Sequence, residues 1–314
     1  MINIDILILG GGVSGHLMSQ RLMLSNLFLE SLIVDKGDDV SIHPFHLHRC
    51  IPEISNLSNL KEAWLETNIW DGFEFKREPS LLDCNNFSKK VYGQIQVTNL
   101  LMQKSIKIYP VNKMEITNNG NQLIDYVESV DLINKIVIGK KEKYQYKYLV
   151  NTIALPVFLN LCNFKHNFDF VIYPYYTAKI DFHKTNMYQM IYNSFEKCSI
   201  RRVTLLDDIL YIESNKPELK SYDDFFLKMI YSIGESAQID FKLLSPGKFK
   251  YLDNRKRKAL FYYLTAKYDV FCLGRYGAWT HKVTNDVWDD TKQIENWIYA
   301  KEQVYTFEKE IKCL

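Results

Sequence analysis

The hexapeptide Gly10-Gly11-Gly12-Val13-Ser14-Gly15 has the spacing G-x-G-x-x-G, and each glycine of that pattern has a mechanical task. Gly10 makes a tight turn, Gly12 lets the backbone approach a pyrophosphate, and Gly15 lets helix and strand pack closely. The phosphates of a dinucleotide then sit at a helix N-terminus, where unpaired N–H groups and the helix dipole favour negative charge. Val13 and Ser14 belong to the same cradle. Asp35 stands about 20 residues beyond Gly15, the distance at which a carboxylate reaches ribose hydroxyls, and Lys36 follows it. Such a glycine string also occurs in ordinary turns. Its setting between two candidate strands favours dinucleotide binding, and no second fingerprint of this kind follows.

Three of the seven histidines fall within Ile42-His43-Pro44-Phe45-His46-Leu47-His48-Arg49-Cys50. His46 and His48 share one face if the segment is extended. Contact with a cofactor or substrate, plain packing or surface histidines, and a metal site are the three readings. The last requires further ligands and partners to orient them, and no metal is expected. Arg201, Arg202 and Arg275 each offer a bidentate fork to phosphate or carboxylate, with a salt bridge as the alternative. On a regular strand, one of Arg201 and Arg202 must point away. Tyr276, Trp279 and the Tyr173-Pro174-Tyr175-Tyr176 stretch are candidate pocket walls, although aromatics this common are more often core. Arg255-Lys256-Arg257-Lys258 is the one basic run, a solvated helix face or a docking site for a phosphorylated or nucleic-acid substrate.

Positioning these residues requires an ordered set of elements. Asn3 to Leu9 is a β-branched apolar run, as expected of a strand buried on both faces of a parallel sheet. Val13, Leu17, Met18 and Leu22 recur at helical spacing, and Ser31 to Asp35 reads as a second buried strand, completing a βαβ unit. A helical piece is expected around Asn59 to Thr67 and another after Val91. A strand at Ile106 to Tyr109, a polar tip at Asn118 to Gln122 and β-like stretches at Tyr126 to Leu132 and Lys135 to Gly139 suggest a meander, which leads into a buried strand at Tyr148 to Ile153. Phe170 to Asp181, Met187 to Tyr192, Arg202 to Leu206 and Ile209 to Glu213 alternate like antiparallel strands. Ser221 to Ile233 reads as helix, Val270 to Leu273 as a third buried strand, and Asp289 onward as a long helix.

The fold class expected is α/β: a Rossmann-type parallel-sheet domain interleaved with a smaller antiparallel-sheet domain on the substrate side. The expected boundaries are 1–75, 100–160 and 265–314 for the first, and 76–99 and 161–264 for the second. With 314 residues, 47% apolar and 14% aromatic, the chain can bury a large core. Its formal charge of +2 gives no global field for nucleic acid or acidic membrane. No apolar run approaches the roughly 20 residues needed to span a bilayer, and no leader pattern precedes the first strand, so a cytoplasmic protein without a membrane partner is expected. Six cysteines scattered without a C-x-x-C pair suit reduced thiols.

Gly274-Arg275-Tyr276-Gly277-Ala278-Trp279, following the buried run Asp269-Val270-Phe271-Cys272-Leu273, makes the chain resemble the FAD-binding clan of amine oxidases, protoporphyrinogen oxidase and UDP-galactopyranose mutase. In that clan a strand ending in Gly-Arg or Gly-Asp approaches the FAD phosphates, and the following helix points its N-terminus at the flavin ring. Three further segments resemble the clan in order. They are the strand Tyr148 to Pro156, the stretch Ile108-Tyr109-Pro110-Val111, whose Val111 would contact adenine, and Ser199 to Thr204, which is similar to the Arg-Val-Thr strand of the mutase-like substrate sheet. Gly277-Ala278-Trp279-Thr280-His281 departs from the mutase's tyrosine-rich continuation.

The resemblance implies FAD as cofactor, held by Gly10, Gly12, Val13, Ser14, Gly15, Asp35, Lys36, Val111, Gly274 and Arg275. It implies a reaction centre at His46, His48, Arg275 and Trp279, with Arg201, Arg202 and Tyr276 toward the substrate. The function expected is hydride transfer from a small or nucleotide-linked substrate to flavin. The alternatives are a non-redox, mutase-like use of reduced flavin on a sugar nucleotide and a flavin-binding subunit without turnover.

Overall fold

The computed structural model describes residues 1–37, 45–95, 105–111, 116, 121–233, 239–244 and 247–312. His43 and most of the expected tip at 118–122 lie outside them.

Two sheets organise the chain. The first has seven strands: β7 (Gln122–Ile124), β2 (Ser31–Asp35), β1 (Ile2–Leu9) and β10 (Lys143–Asn151) in that spatial order, then β9 (Ile136–Gly139) and β8 (Val127–Asp131), with β18 (Val270–Cys272) also on β10. The far edge of β10 is shared. Its first half pairs antiparallel with β9, and its last residues pair parallel with β18, Leu149 opposite Val270 and Asn151 opposite Cys272. β7, β2, β1, β10 and β18 therefore run parallel, as the buried apolar runs require.

Alternation along β1 feeds two cores at once. Ile6 and Ile8 pack under helices α1 (Val13–Leu24) and α8 (Thr284–Lys312), through Leu17, Met18, Trp288 and Ile298. Leu7 and Leu9 face the opposite side, where α4 (Leu155–Leu161) and α6 (Asn254–Tyr268) contribute Phe158, Leu159, Leu260 and Leu264. A sheet covered by helices on both faces is the doubly wound arrangement.

The second sheet has nine strands: β16 (Lys242–Leu243), β12 (Tyr176–Asp181), β15 (Ile209–Ser214), β14 (Ile200–Leu206), β13 (Tyr188–Asn193), β4 (Ala63–Trp70), β6 (Ser105–Pro110) and β3 (His46–Leu47), with β5 (Phe75–Lys76) on β4. All pairings but β13 with β4 are antiparallel. A separate pair, β11 (Ile172–Tyr173) with β17 (Lys248–Phe249), branches off where Pro174 and Tyr175 interrupt the long strand expected over 170–181.

The helix expected around Asn59 to Thr67 is a strand for most of its length. Only Ser55–Ser58 is helical there (α2), and in β4 the buried Leu65, Thr67 and Ile69 alternate with the more open Trp64, Glu66 and Asn68. That is a period of two, which the charges of Lys61, Glu62 and Glu66 disguise. Because β4 and β5 pair in the second sheet, residues 63–76 and 105–110 stand there and not with the first sheet, where the sequence boundaries put most of them. Helices α3 (Leu81–Tyr92) and α5 (Ser221–Tyr231) flank the second sheet, and a short α7 (Gly274–Gly277) links β18 to α8. α8 begins five residues before the expected Asp289, at Thr284. Among the described residues no helix is long and apolar enough to cross a membrane.

Candidate functional site

The glycine loop leaves β1 and enters α1 at Gly12, whose side-chain-free backbone caps the helix without a side-chain hydrogen bond. No acidic residue stands in the first turn to meet its N-terminal N–H groups. A β-carbon on Gly15 would lie 2.0 Å from the Gly10 carbonyl oxygen, so the close packing of helix on strand demands glycine there. A β-carbon on Gly12 would meet nothing within 4 Å. The chain itself has no need of glycine at Gly12; the open space is on the ligand side of a helix N-terminus, where a pyrophosphate would lie.

The C-terminal motif closes this cradle. Leu273 N–H donates to the Asn151 carbonyl at 2.9 Å, extending β18 along β10, and Gly274 then turns with φ of 79°. A β-carbon there would sit 2.1 Å from Ser14 Oγ. Asp35, at the end of β2, borders Gly11 and accepts from Gly37 N–H at 3.1 Å. Lys36 is exposed beside it, Val13 is partly buried, and Val111 is packed in the α1-side core. Gly10, Gly12, Val13, Ser14, Gly15, Asp35 and Gly274 thus gather around the start of α1.

β3 docks on the start of α8. His48 N–H donates to Asn285 Oδ1 at 2.8 Å, and Asn285 Nδ2 donates to the Arg49 carbonyl at 2.9 Å. The His46 and His48 rings meet edge to face at 5.2 Å. Burial lowers the His48 pKa against the pull of Asp286, favouring the neutral imidazole.

Trp279 is a correction. It is 1% exposed, its ring packs on Phe249 and Phe170 at 4.5 and 5.0 Å, and its indole N–H donates to the Lys250 carbonyl. A side chain enclosed and satisfied in this way has no face for a substrate. Tyr276 also has its hydroxyl committed, donating to the Gly247 carbonyl at 2.9 Å. Within the basic run, Arg255, Lys256 and Lys258 are exposed, but Arg257 turns inward and donates to the Ala278 carbonyl at 3.0 Å, bracing the turn after α7.

Arg201 and Arg202 correct a second expectation. The pairing of β14 with β15 shifts register between Ile200 and Arg202, leaving Arg201 as the extra residue of a bulge. Strict alternation fails there, so the two guanidiniums do not diverge, and both act on the Lys248 ammonium. Arg202 grips Glu213 through Nε and Nη2. Arg201, 2% exposed, uses Nη2 on the Pro174 carbonyl and lies 4.5 Å from the Tyr175 ring centroid. Lys248 lies 4.4 Å from the same ring. Arg275 stands 5.7 Å over Phe249 and is within electrostatic range of Lys248, Glu213 and His281.

The result is a buried, mainly basic cluster. Burial pushes Glu213 up to about 7, opposed by Lys248 and Arg275. Burial and the Arg275 cation drive Lys248 well below its ordinary range. Burial, then Arg275 and Lys248, take His281 down to about 4. Tyr175 belongs to the aromatic stretch singled out in the sequence and His281 to the segment after Gly277, whereas Lys248, Glu213 and Asn285 carry no motif. The Arg202–Glu213 pair alone has a signal: counting outward from the Asp207-Asp208 turn puts Leu206 opposite Ile209 and Arg202 opposite Glu213.

A parallel sheet wrapped on both faces, a glycine cradle at the first helix and a second, mainly antiparallel sheet define the fold of the two-domain FAD-binding flavoproteins. Solved structures agree. Reduced UDP-galactopyranose mutase superposes with a TM-score of 0.69 at 10% identity, covering 95% of this chain and 96% of that one. A candidate protoporphyrinogen oxidase from Exiguobacterium sp. gives 0.62 at 10% identity, covering 93% and 98%, and the flavin-dependent brominase Bmp2 gives 0.55 at 12%, covering 96% and 83%. The chain therefore has the fold of the clan that its two end motifs resemble. No family model matches it, and no curated protein matches it in sequence.

Proposed function

We propose that the chain is a FAD-dependent oxidoreductase in which a small or nucleotide-linked substrate meets the flavin between β3, α7 and the second sheet. The observation that carries this reading is Gly12: a β-carbon there would meet nothing at the N-terminus of α1, so no contact within the protein requires glycine, whereas Gly15 and Gly274 are fixed by such contacts. The residues fit the cofactor. Gly10, Gly12, Val13, Ser14 and Gly274 would line its phosphates, Asp35 with Lys36 its ribose, and Val111 its adenine. Bound FAD would supply the hydride acceptor.

The chain's own groups would do the rest. Neutral His48, its backbone held by Asn285, and its neighbour His46 would accept the N–H or C–H proton as the adjacent substrate C–H bond gives its hydride to the flavin and a C=N or C=C bond forms. Arg275, on the turn that seats Gly274, would face the charge that develops beside it.

A second reading, reduced flavin acting without net redox change on a sugar nucleotide, draws on the higher likeness to the mutase. Purified protein should be yellow and release FAD identifiable by mass; a colourless chain that takes up no added FAD overturns the proposal. Anaerobic bleaching by a substrate supports the oxidoreductase, and binding of a pyrophosphate-bearing ligand only after dithionite reduction supports the mutase-like reading. Flavin that no donor or substrate reduces would leave a binding subunit.

A further inference from the structure

Arg201 is buried with its charge uncompensated. Its Nε and Nη1 have no hydrogen-bond acceptor among the described residues; it faces the neutral Tyr92 hydroxyl and three further cations, Arg202, Lys90 and Lys248. Glu213, the one carboxylate of the cluster, is already gripped at both oxygens by Arg202. Lys248, opposite Glu213 but in no ion pair among the described residues, packs on the same Tyr175 ring as Arg201. Arg275 adds a further positive group, and its Nε too lacks an acceptor. An isolated buried cation is costly, and burying several together is more so. Positive charge gathered this way is stabilised when an anion arrives, because low dielectric strengthens each attraction.

We propose that Arg201 and Lys248, both packed on the Tyr175 ring, hold an oxyanion of the substrate, a carboxylate or phosphate group. The proposal rests on reading this face of the second sheet as the substrate side of a flavoenzyme. Arg201 would give its two free donors in a planar fork, and Lys248 a point charge. Tyr175, 2% exposed, fixes the spacing of the two cations. The anionic group is distinct from the FAD pyrophosphate, whose place is the start of α1.

Oxyanion binding should also draw a proton. Lys248 faces Glu213 from β15, Arg201 and Arg202 from β14, Arg275 from α7, His281 from the segment before α8, and Tyr175; burial and the guanidiniums hold its pKa well below 10.5. A bound anion raises it again. Affinity should therefore fall as pH rises through the depressed value, by up to tenfold per pH unit.

The test is calorimetry of the flavin-loaded protein with inorganic phosphate, pyrophosphate and benzoate, the last two separating a diphosphate from a carboxylate source. At least one probe should bind, and Arg201→Gln and Lys248→Met should each weaken it about tenfold or more. Lys248→Met should also flatten the pH dependence, and Arg255→Gln should change nothing. Lys248 is only partly enclosed, so its variant keeps the test open if Arg201→Gln fails to fold. The proposal is overturned if the wild type binds none of the probes, if both folded variants bind like wild type, or if binding occurs only without flavin, which would make the site part of the FAD pocket. A chain that takes up no flavin overturns the flavoenzyme reading instead, and the same variants then decide the oxyanion site by themselves.

Discussion

Gly274 and Ser14, from opposite ends of the chain, stand so close that a β-carbon on Gly274 would lie 2.1 Å from Ser14 Oγ. The contact joins the turn after β18 to the first turn of α1. It makes the cradle proposed for phosphate a product of both ends.

Gly12→Asp and Gly15→Val should each abolish flavin retention, for different reasons. A β-carbon at position 12 would meet nothing, so Gly12→Asp should shift stability by no more than about 0.5 kcal/mol while its carboxylate repels phosphate. Gly15→Val collides with the Gly10 carbonyl and should lower Tm markedly as well. Flavin absorbance and thermal melts of the two purified variants check this, and normal flavin content in both would remove the assignment.

Asp35→Ala should weaken FAD binding by about 1.5 to 3 kcal/mol, the range for hydrogen bonds to a charged partner. The carboxylate borders Gly11 and its only hydrogen bond among the described residues is local, to Gly37 N–H. Flavin fluorescence titration measures the change. An unchanged Kd would mean that the acid only shapes the turn.

Arg275→Ala and His46→Ala should slow flavin reduction on the order of 100-fold or more with little change in Tm. Trp279→Ala should do the reverse, costing about 3 to 5 kcal/mol of stability through the cavity left beside Phe249 and Phe170. Stopped-flow reduction, once a substrate is known, and denaturant unfolding separate the two patterns.

Acid should destabilise the fold partly through His281. The folded protein holds its pKa at about 4, against an ordinary 6.5. Between those values the unfolded chain binds the proton more tightly, so stability present above pH 6.5 falls as pH drops toward 4. His281→Asn should flatten part of that slope in a series of Tm measurements, leaving the part due to His48, which is shifted in the same direction. An unchanged slope would show that His281 titrates normally.

Local pattern was enough for the ends of the molecule. β1, α1 and β2 follow each other without interruption, and the glycines of the G-x-G-x-x-G spacing lie within six residues. Three features needed more than a local window. β4 reads as helix because Lys61 and Glu62 precede it, Glu66 lies within it, and its partners, β13 and β6, are remote in sequence. Trp279 sits beside Arg275 in the chain yet turns into the core, a choice made by Phe170, Phe249 and Lys250. Arg201 and Arg202 reach the same side only because β14 bulges, and Lys248 joins them from a two-residue strand with no pattern of its own.

The position of β18 bears on how the protein is made. It is translated about 260 residues after β1, a delay on the order of 10 to 50 seconds at ordinary ribosome speeds. Until β18 emerges, β10 has an unpaired edge at Leu149 to Asn151 and Ser14 lacks the Gly274 backbone beside it. A nascent chain therefore carries a glycine loop without its second wall, so flavin loading should await the end of translation, and truncation before Val270 should leave both an open strand edge for chaperones and an empty cofactor site.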